Sequence, residues 1–251
     1  MSYGGFANLY DTLMQDIPYD DWVSLVMKQL ETYQITGGRL MDLACGTGEL
    51  SIRFAQAGFD VTGIDLSGDM LAIAQSKTAD HNLSVQYFQQ NMAELEGFDE
   101  HDIIGIFCDS LNYLEKESDI VSTFNGVFRH LRDDGLFIFD VHSLYKMNHI
   151  FMDETFTMKD ENISYIWDCF PGVEPDSVEH DLSFFALDSS TGKYSRIDEL
   201  HFQRTFSVER YSNWLEQAGF KVLEISADFE SKVPEPDSER IFITARKSKA
   251  K

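Results

Sequence analysis

The spacing of apolar positions changes several times along the chain, and each change marks a new element. Over Asp20–Tyr33, Trp22, Val26, Leu30 and Tyr33 fall on one face at helical spacing. Gly37 and Gly38 break that pattern, and Arg39–Ala44 (RLMDLA) reads as a short strand. Gly46–Ala57 reads as a helix closed by Gly58, and Asp60–Leu66 as a second strand. Ser67 is placed to cap a helix running to about Thr78. Ser84–Gln89 and Asp102–Cys108 are further strands. Ile120, Phe124, Val127, Phe128 and Leu131 outline an amphipathic helix, and the turn Asp133–Asp134–Gly135 leads into the apolar strand Leu136–Val141. Strands that alternate with helices in this way predict a parallel sheet covered on both faces.

The rhythm changes after His142. From Tyr145 to Thr205 the chain is rich in β-formers and aromatics, with turn signals at Pro171–Gly172, Pro175–Asp176 and Ser190–Thr191–Gly192. Several antiparallel strands in succession fit this composition. Ser207 then begins a helix with Tyr211, Trp214, Leu215 and Ala218 on one face, ended by Gly219. Strands Phe220–Ile225 and Arg240–Ala245 follow. Because the helix–strand pattern resumes, the middle block is expected to be an insertion. Residues 1–144 and 206–251 would then form one α/β domain, and residues 145–205 an antiparallel β lid.

Composition narrows the partners. The 251 residues carry 43 Asp and Glu against 20 Lys and Arg, a formal charge of −23. Such a chain has no broad basic surface for phosphate, so nucleic acid and anionic membrane are unexpected partners and a small molecule is the expected one. Residues 145–205 hold 12 acidic and 5 basic residues of that total. Cys45, Cys108 and Cys169 are odd in number and widely spaced, which suits neither a disulfide framework nor a metal site. The first residues lack the basic and apolar segments of a signal peptide, and no apolar run is long enough to cross a membrane. A cytoplasmic location is the expectation.

The candidate chemistry lies in Met41-Asp42-Leu43-Ala44-Cys45-Gly46-Thr47-Gly48-Glu49, which joins the first strand to its helix. Glycines here let backbone approach a ligand. Nineteen positions after Gly46, the second strand ends on Asp65, where a carboxylate can accept from both hydroxyls of a ribose. A nucleoside ligand at the carboxyl edge of the sheet follows. For a dinucleotide, the third glycine position is filled by Ser51, and Asp42 and Glu49 would repel a pyrophosphate. These acids suit a ligand with a cationic end, such as the ammonium of a methionine moiety.

Asp42-Leu43-Ala44-Cys45-Gly46-Thr47-Gly48, followed by Gly63-Ile64-Asp65-Leu66-Ser67 and Met70-Leu71, resembles the class I S-adenosylmethionine-dependent methyltransferases. Ala44 stands where the family has its first glycine. The resemblance implies a Rossmann-like, seven-stranded, mostly parallel sheet with an antiparallel final strand. It implies that backbone at Ala44 and Gly46, within the Asp42–Gly48 turn that includes Cys45, meets the methionine end of S-adenosylmethionine. Asp65 would hold the ribose, with Leu66 and Met70 beside the adenine. Asn91, followed by Met92, stands where the family often has an acid that accepts from the adenine amino group. Cys108-Asp109-Ser110-Leu111-Asn112-Tyr113 is similar to the family's substrate-proximal motif, with backbone at Cys108 near the sulfonium. The N-terminal Tyr3, Phe6, Tyr10 and Asp11 resemble a segment that closes over the cofactor, and Tyr10 is the residue expected to cover its methionine end.

Transfer to an amine or hydroxyl also requires loss of a proton. His142, just after the fifth strand, is the foremost candidate base, with Tyr113, Tyr145, Asn112 and His201 behind it. A nicotinamide oxidoreductase and a non-catalytic S-adenosylmethionine-binding protein are the alternatives that these residues leave open.

Overall fold

Leu136, Phe137, Ile138 and Phe139 are all fully buried and send their side chains alternately to two cores. That period of two is what a strand covered on both faces requires. The computed structural model describes residue 14 and residues 17–248. Its main sheet comprises β1 (Arg39–Leu43), β2 (Asp60–Asp65), β3 (Val85–Gln89), β4 (His101–Ile106), β5 (Leu131–His142), β10 (Phe220–Ala227) and β11 (Arg240–Lys247). The spatial order is β10-β11-β5-β4-β1-β2-β3. Strands β1 to β5 pair in parallel, and β11 runs antiparallel to both of its neighbours. The Rossmann-like sheet with an antiparallel final strand is therefore as expected.

One face is covered by α1 (Tyr19–Tyr33) and α2 (Glu49–Gln56), through Trp22, Val26 and Phe54. Below β2 and β3 lies α3 (Gly68–Asp80), capped as expected by Ser67, whose hydroxyl accepts from the Met70 N–H at 3.3 Å. The opposite core holds α4 (Glu117–His130) and α5 (Val208–Ala218), through Phe124, Val127, Tyr211 and Leu215. Gly219 ends α5 with a φ of 102°, which glycine adopts without strain.

Two element starts differ most from the sequence reading. The helix expected from Gly46 begins at Glu49, because Gly46 and Gly48 adopt left-handed φ values of 54° and 78°. Strand β5 begins at Leu131, since pairing of Leu131 with His101 absorbs the Asp133–Asp134–Gly135 turn as an irregularity within the strand.

After β5 comes a π-helical turn, Lys146–Ile150, and then a separate antiparallel sheet of β6 (Thr155–Lys159), β7 (Ile163–Pro171), β8 (Ser177–Asp188) and β9 (Lys193–Arg204). Met147, Phe151, Cys169 and Val178 give it a small core of its own. Among the described residues, no helix is long and apolar enough to cross a membrane.

Candidate functional site

Strand order reverses between β1 and β4, and the carboxyl ends of these two strands open the crevice where ligands of such sheets bind. Here the chain turns sharply. Ala44 has φ 66°, while Cys108 and Asp109 after β4 have φ 54° and 52°. Left-handed non-glycine residues are sterically disfavoured, and they persist only where surrounding contacts hold them.

Asp65 supplies one such contact. Its carboxylate accepts from the Gly46 N–H at 2.7 Å and from the Ser67 N–H at 2.8 Å, linking the glycine turn to the end of β2. Burial raises its pKa, partly offset by those backbone donors. The two glycines serve different ends. A Cβ on Gly46 would meet no atom within 4 Å, so backbone there is open to a ligand. A Cβ on Gly48 would lie 2.6 Å from the Tyr87 hydroxyl, so that space belongs to Tyr87. The Gly48 N–H donates to the Cys45 carbonyl at 2.9 Å, which closes the turn.

Asp42 is buried at the end of β1 and accepts the Ser51 hydroxyl at 2.6 Å. Burial pushes its carboxyl up to about 6; the Ser51 bond opposes the rise, and nearby Asp65 adds to it. Glu49 is different. It is paired with both Lys77 and Arg53, which hold its carboxyl below the usual range against the effect of burial. Its charge is balanced within the protein by Lys77 and Arg53, so the expected repulsion of a pyrophosphate by Glu49 is corrected here.

The turn after β4 is held from the neighbouring strand. Asp140, fully buried on β5, accepts from the backbone N–H groups of Cys108 and Asp109, each at 2.9 Å, and from the indole of Trp22 at 2.8 Å. It also pairs with Arg240 at the start of β11. Arg240 reaches Asp109 at 2.9 Å as well, and its guanidinium lies 5.1 Å from the centre of the Trp22 ring. Burial disfavours the Arg240 charge, yet Asp140 and Asp109 hold it protonated beyond its usual range. Burial likewise raises the Asp109 carboxyl, but His142 and Arg240 beside it bring it well below the ordinary carboxylate range. The Cys108 thiol is pushed far up by burial and the two nearby carboxylates, so it stays protonated.

His142 ends β5, buried, with Nε2 3.3 Å from Asp109 Oδ2 and with Nδ1 making no hydrogen bond to the described residues. Asn112 is a strut rather than a base: it accepts from the His142 backbone N–H and donates to the Arg204 carbonyl. From the inserted sheet, Gln203 donates to Asp109 at 3.0 Å. Tyr113, half exposed, meets the His201 ring edge-on at 5.8 Å. Tyr145 packs on His149 instead, their rings 5.2 Å apart.

Most of the remaining expected residues follow the ends of β1, β2 and β3. Leu66 is 68% exposed directly after Asp65, and Met70 follows one turn later. Cys45 donates its backbone N–H to Ile64 at 2.9 Å, tying the turn to β2. The Asn91 side-chain carbonyl already accepts from the Ala93 N–H at 3.0 Å, which leaves it one lone pair for the adenine contact expected of it. Met92 packs against the core. Tyr10 falls outside the described residues. Asp109 lies in the motif Cys108–Tyr113 but had no role of its own in the sequence reading, and Asp140, Arg240 and Gln203 were not singled out; for Asp140 the available signal was a lone carboxylate within the apolar run Leu136–Val141. Among the described residues, no cluster of metal-ligating side chains occurs.

Residues 40–135 match the model of a methyltransferase domain family. The chain is 53% identical to a methyltransferase candidate of Geobacillus sp. (strain WCH70) over 248 residues, 98% of this chain and 100% of the relative. It is 48% identical to the methyltransferase candidate YqeM of Bacillus subtilis (strain 168), with 99% and 98% covered. Among solved structures, a S-adenosylmethionine-dependent methyltransferase from Clostridium acetobutylicum ATCC 824 superposes with a TM-score of 0.90 at 29% identity, covering 98% of this chain and 99% of that one.

Proposed function

We propose that this chain, which belongs to the S-adenosylmethionine-dependent methyltransferases, transfers a methyl group to a nitrogen or oxygen nucleophile of a small molecule. Membership of that family sets aside the nicotinamide oxidoreductase and the non-catalytic binding protein. Bound S-adenosylmethionine supplies an electrophilic methyl on a sulfonium, open to in-line displacement.

The residues present fit such a ligand. Gly46 leaves its backbone face open, and Asp65 sits at the strand end suited to a ribose. A buried Asp42, held by a single neutral donor, is suited to a cationic tail. We assign Asp42, Ala44, Cys45, Gly46 and Cys108 to the methionine side, and Leu66, Met70, Asn91 and Met92 to the adenine side. The assignment of residues 145–205 as the substrate lid, and of 1–144 with 206–251 as the cofactor domain, belongs to the same reading. It is supported by the separate four-stranded sheet and its own core.

The observation that carries the choice of nucleophile is the state of His142. An ionised Asp109 can only accept, so neutral His142 carries its proton on Nε2 and its Nδ1 presents a lone pair. A buried nitrogen with an unused lone pair suits an incoming N–H or O–H, and removal of that proton is general-base chemistry. Incubation with a metabolite extract and cofactor carrying a labelled methyl group tests the proposal. Label in small molecules supports it; label confined to protein or nucleic acid overturns it.

A further inference from the structure

Four hydrogen bonds run in series from the inserted sheet to His142, and chemistry determines the donor at each step. Trp167 on β7 can only donate through its indole N–H, and it does so to Nδ1 of His180 on β8 at 3.0 Å. Cys169 Sγ lies 3.4 Å from the same nitrogen. A ring nitrogen that accepts from an indole carries no proton, so neutral His180 holds its proton on Nε2. Burial brings the His180 pKa down to about 4, which keeps the ring neutral at neutral pH. Its Nε2 is 3.2 Å from Gln203 Oε1, so that oxygen accepts and the amide nitrogen is turned the other way. That nitrogen donates to Asp109 Oδ2 at 3.0 Å, and the same oxygen lies 3.3 Å from His142 Nε2.

We infer that Gln203, oriented by Trp167 through His180, is a positioning residue that holds Asp109 and so keeps His142 in the tautomer with a free Nδ1 lone pair. A flipped Gln203 amide would aim its oxygen at the Asp109 carboxylate, which is repulsive, and would leave the His180 N–H without an acceptor. The insertion thereby sets the state of the site's acid–base pair as well as covering it. This inference deepens the reading of His142 as proton acceptor and rests on it for its catalytic consequence. The polarity of the chain of bonds does not depend on turnover.

Long-range 1H–15N spectra of the imidazoles in the full-length protein, recorded from mildly acidic to mildly alkaline pH, test it directly. The charged and titratable groups around the pair are Asp109 after β4, Asp140 on β5, Arg240 on β11 and His180 on β8, with His201 beside His180. The wild type is expected to show neutral His180 protonated on Nε2 throughout, and neutral His142 protonated on Nε2. In Gln203→Leu, Asp109 loses the donor that orients its carboxylate, and neutral His142 is then expected to populate the Nδ1-protonated tautomer as well. Trp167→Phe keeps an aromatic ring against Phe151 and Phe156. It lets His180 populate both tautomers, which loosens the orientation of the Gln203 amide and shifts the His142 tautomer balance the same way by less. A wild-type His180 protonated on Nδ1 overturns the inference, as does an unchanged His142 tautomer balance in the variants that fold, whatever happens to thermal stability. Normal turnover by His142→Gln, with the spectral shifts present, would remove the base reading and leave the positioning chain standing.

Discussion

Ser51 donates its hydroxyl to Asp42 at 2.6 Å, from the first turn of α2 to the end of β1. It is the donor that offsets part of the desolvation of a fully buried carboxylate. The folded pKa of about 6 stands above the ordinary 3.8, so the folded protein binds the Asp42 proton more tightly than the unfolded chain does. The associated stability is present in full below the ordinary value and is lost as pH rises through about 6. Urea unfolding of the ligand-free protein at pH values on either side of 6 is expected to show a fall of about 1–3 kcal/mol relative to Asp42→Asn. A ligand with a cationic tail reverses that dependence, so affinity for S-adenosylhomocysteine, read by calorimetry, rises through the same range in the wild type and stays flat in Asp42→Asn.

Asp65 accepts two backbone N–H groups while standing at the proposed ribose position. Asp65→Ala releases the Gly46 turn and removes the acceptor together. S-adenosylhomocysteine affinity is expected to drop by about 100-fold or more, since bonds to a charged acceptor contribute about 1.5–3 kcal/mol each. Calorimetry checks it.

Elements carried by local pattern were legible in the chain: the apolar run Leu136–Val141, the Ser67 cap and the Gly219 stop depend only on near neighbours. The hub around Asp140 was not. Arg240 lies 100 positions from Asp140, and Gln203 lies 94 from Asp109, so their meeting depends on which strands become neighbours. The helix start at Glu49 and the early start of β5 were missed for related reasons. A left-handed glycine stops a helix that its spacing would permit, and pairing with β4 overrides a local turn signal. The motif Asp42–Gly48 was legible as a candidate site because its chemistry is contiguous, whereas the proposed base and its supports are assembled from four separated segments.

Arg240 compensates two buried carboxylates at once. Arg240→Met leaves Asp140 and Asp109 facing each other without a cation. The expected loss is about 3–5 kcal/mol, the magnitude for breaking a buried ion pair on one side. The urea midpoint reports it, and loss of the Cys108–Asp109 turn would weaken cofactor binding in parallel.

Replacing Tyr145–Thr205 by a short loop leaves Asp42, Gly46 and Asp65 in place but removes Gln203 and the second sheet. Such a protein is expected to bind S-adenosylhomocysteine and to transfer no methyl group. Calorimetry and a labelled-methyl assay on one preparation separate the two properties, and full turnover would contradict the lid assignment.

The most direct measurement compares wild type and His142→Gln for transfer of labelled methyl into the small-molecule fraction of a metabolite extract, at saturating S-adenosylmethionine. With His142 as the proton acceptor, the variant loses about 10²–10⁴-fold in rate while its S-adenosylhomocysteine affinity is unchanged. Equal labelling by the two proteins, or label found only in macromolecules, would contradict it.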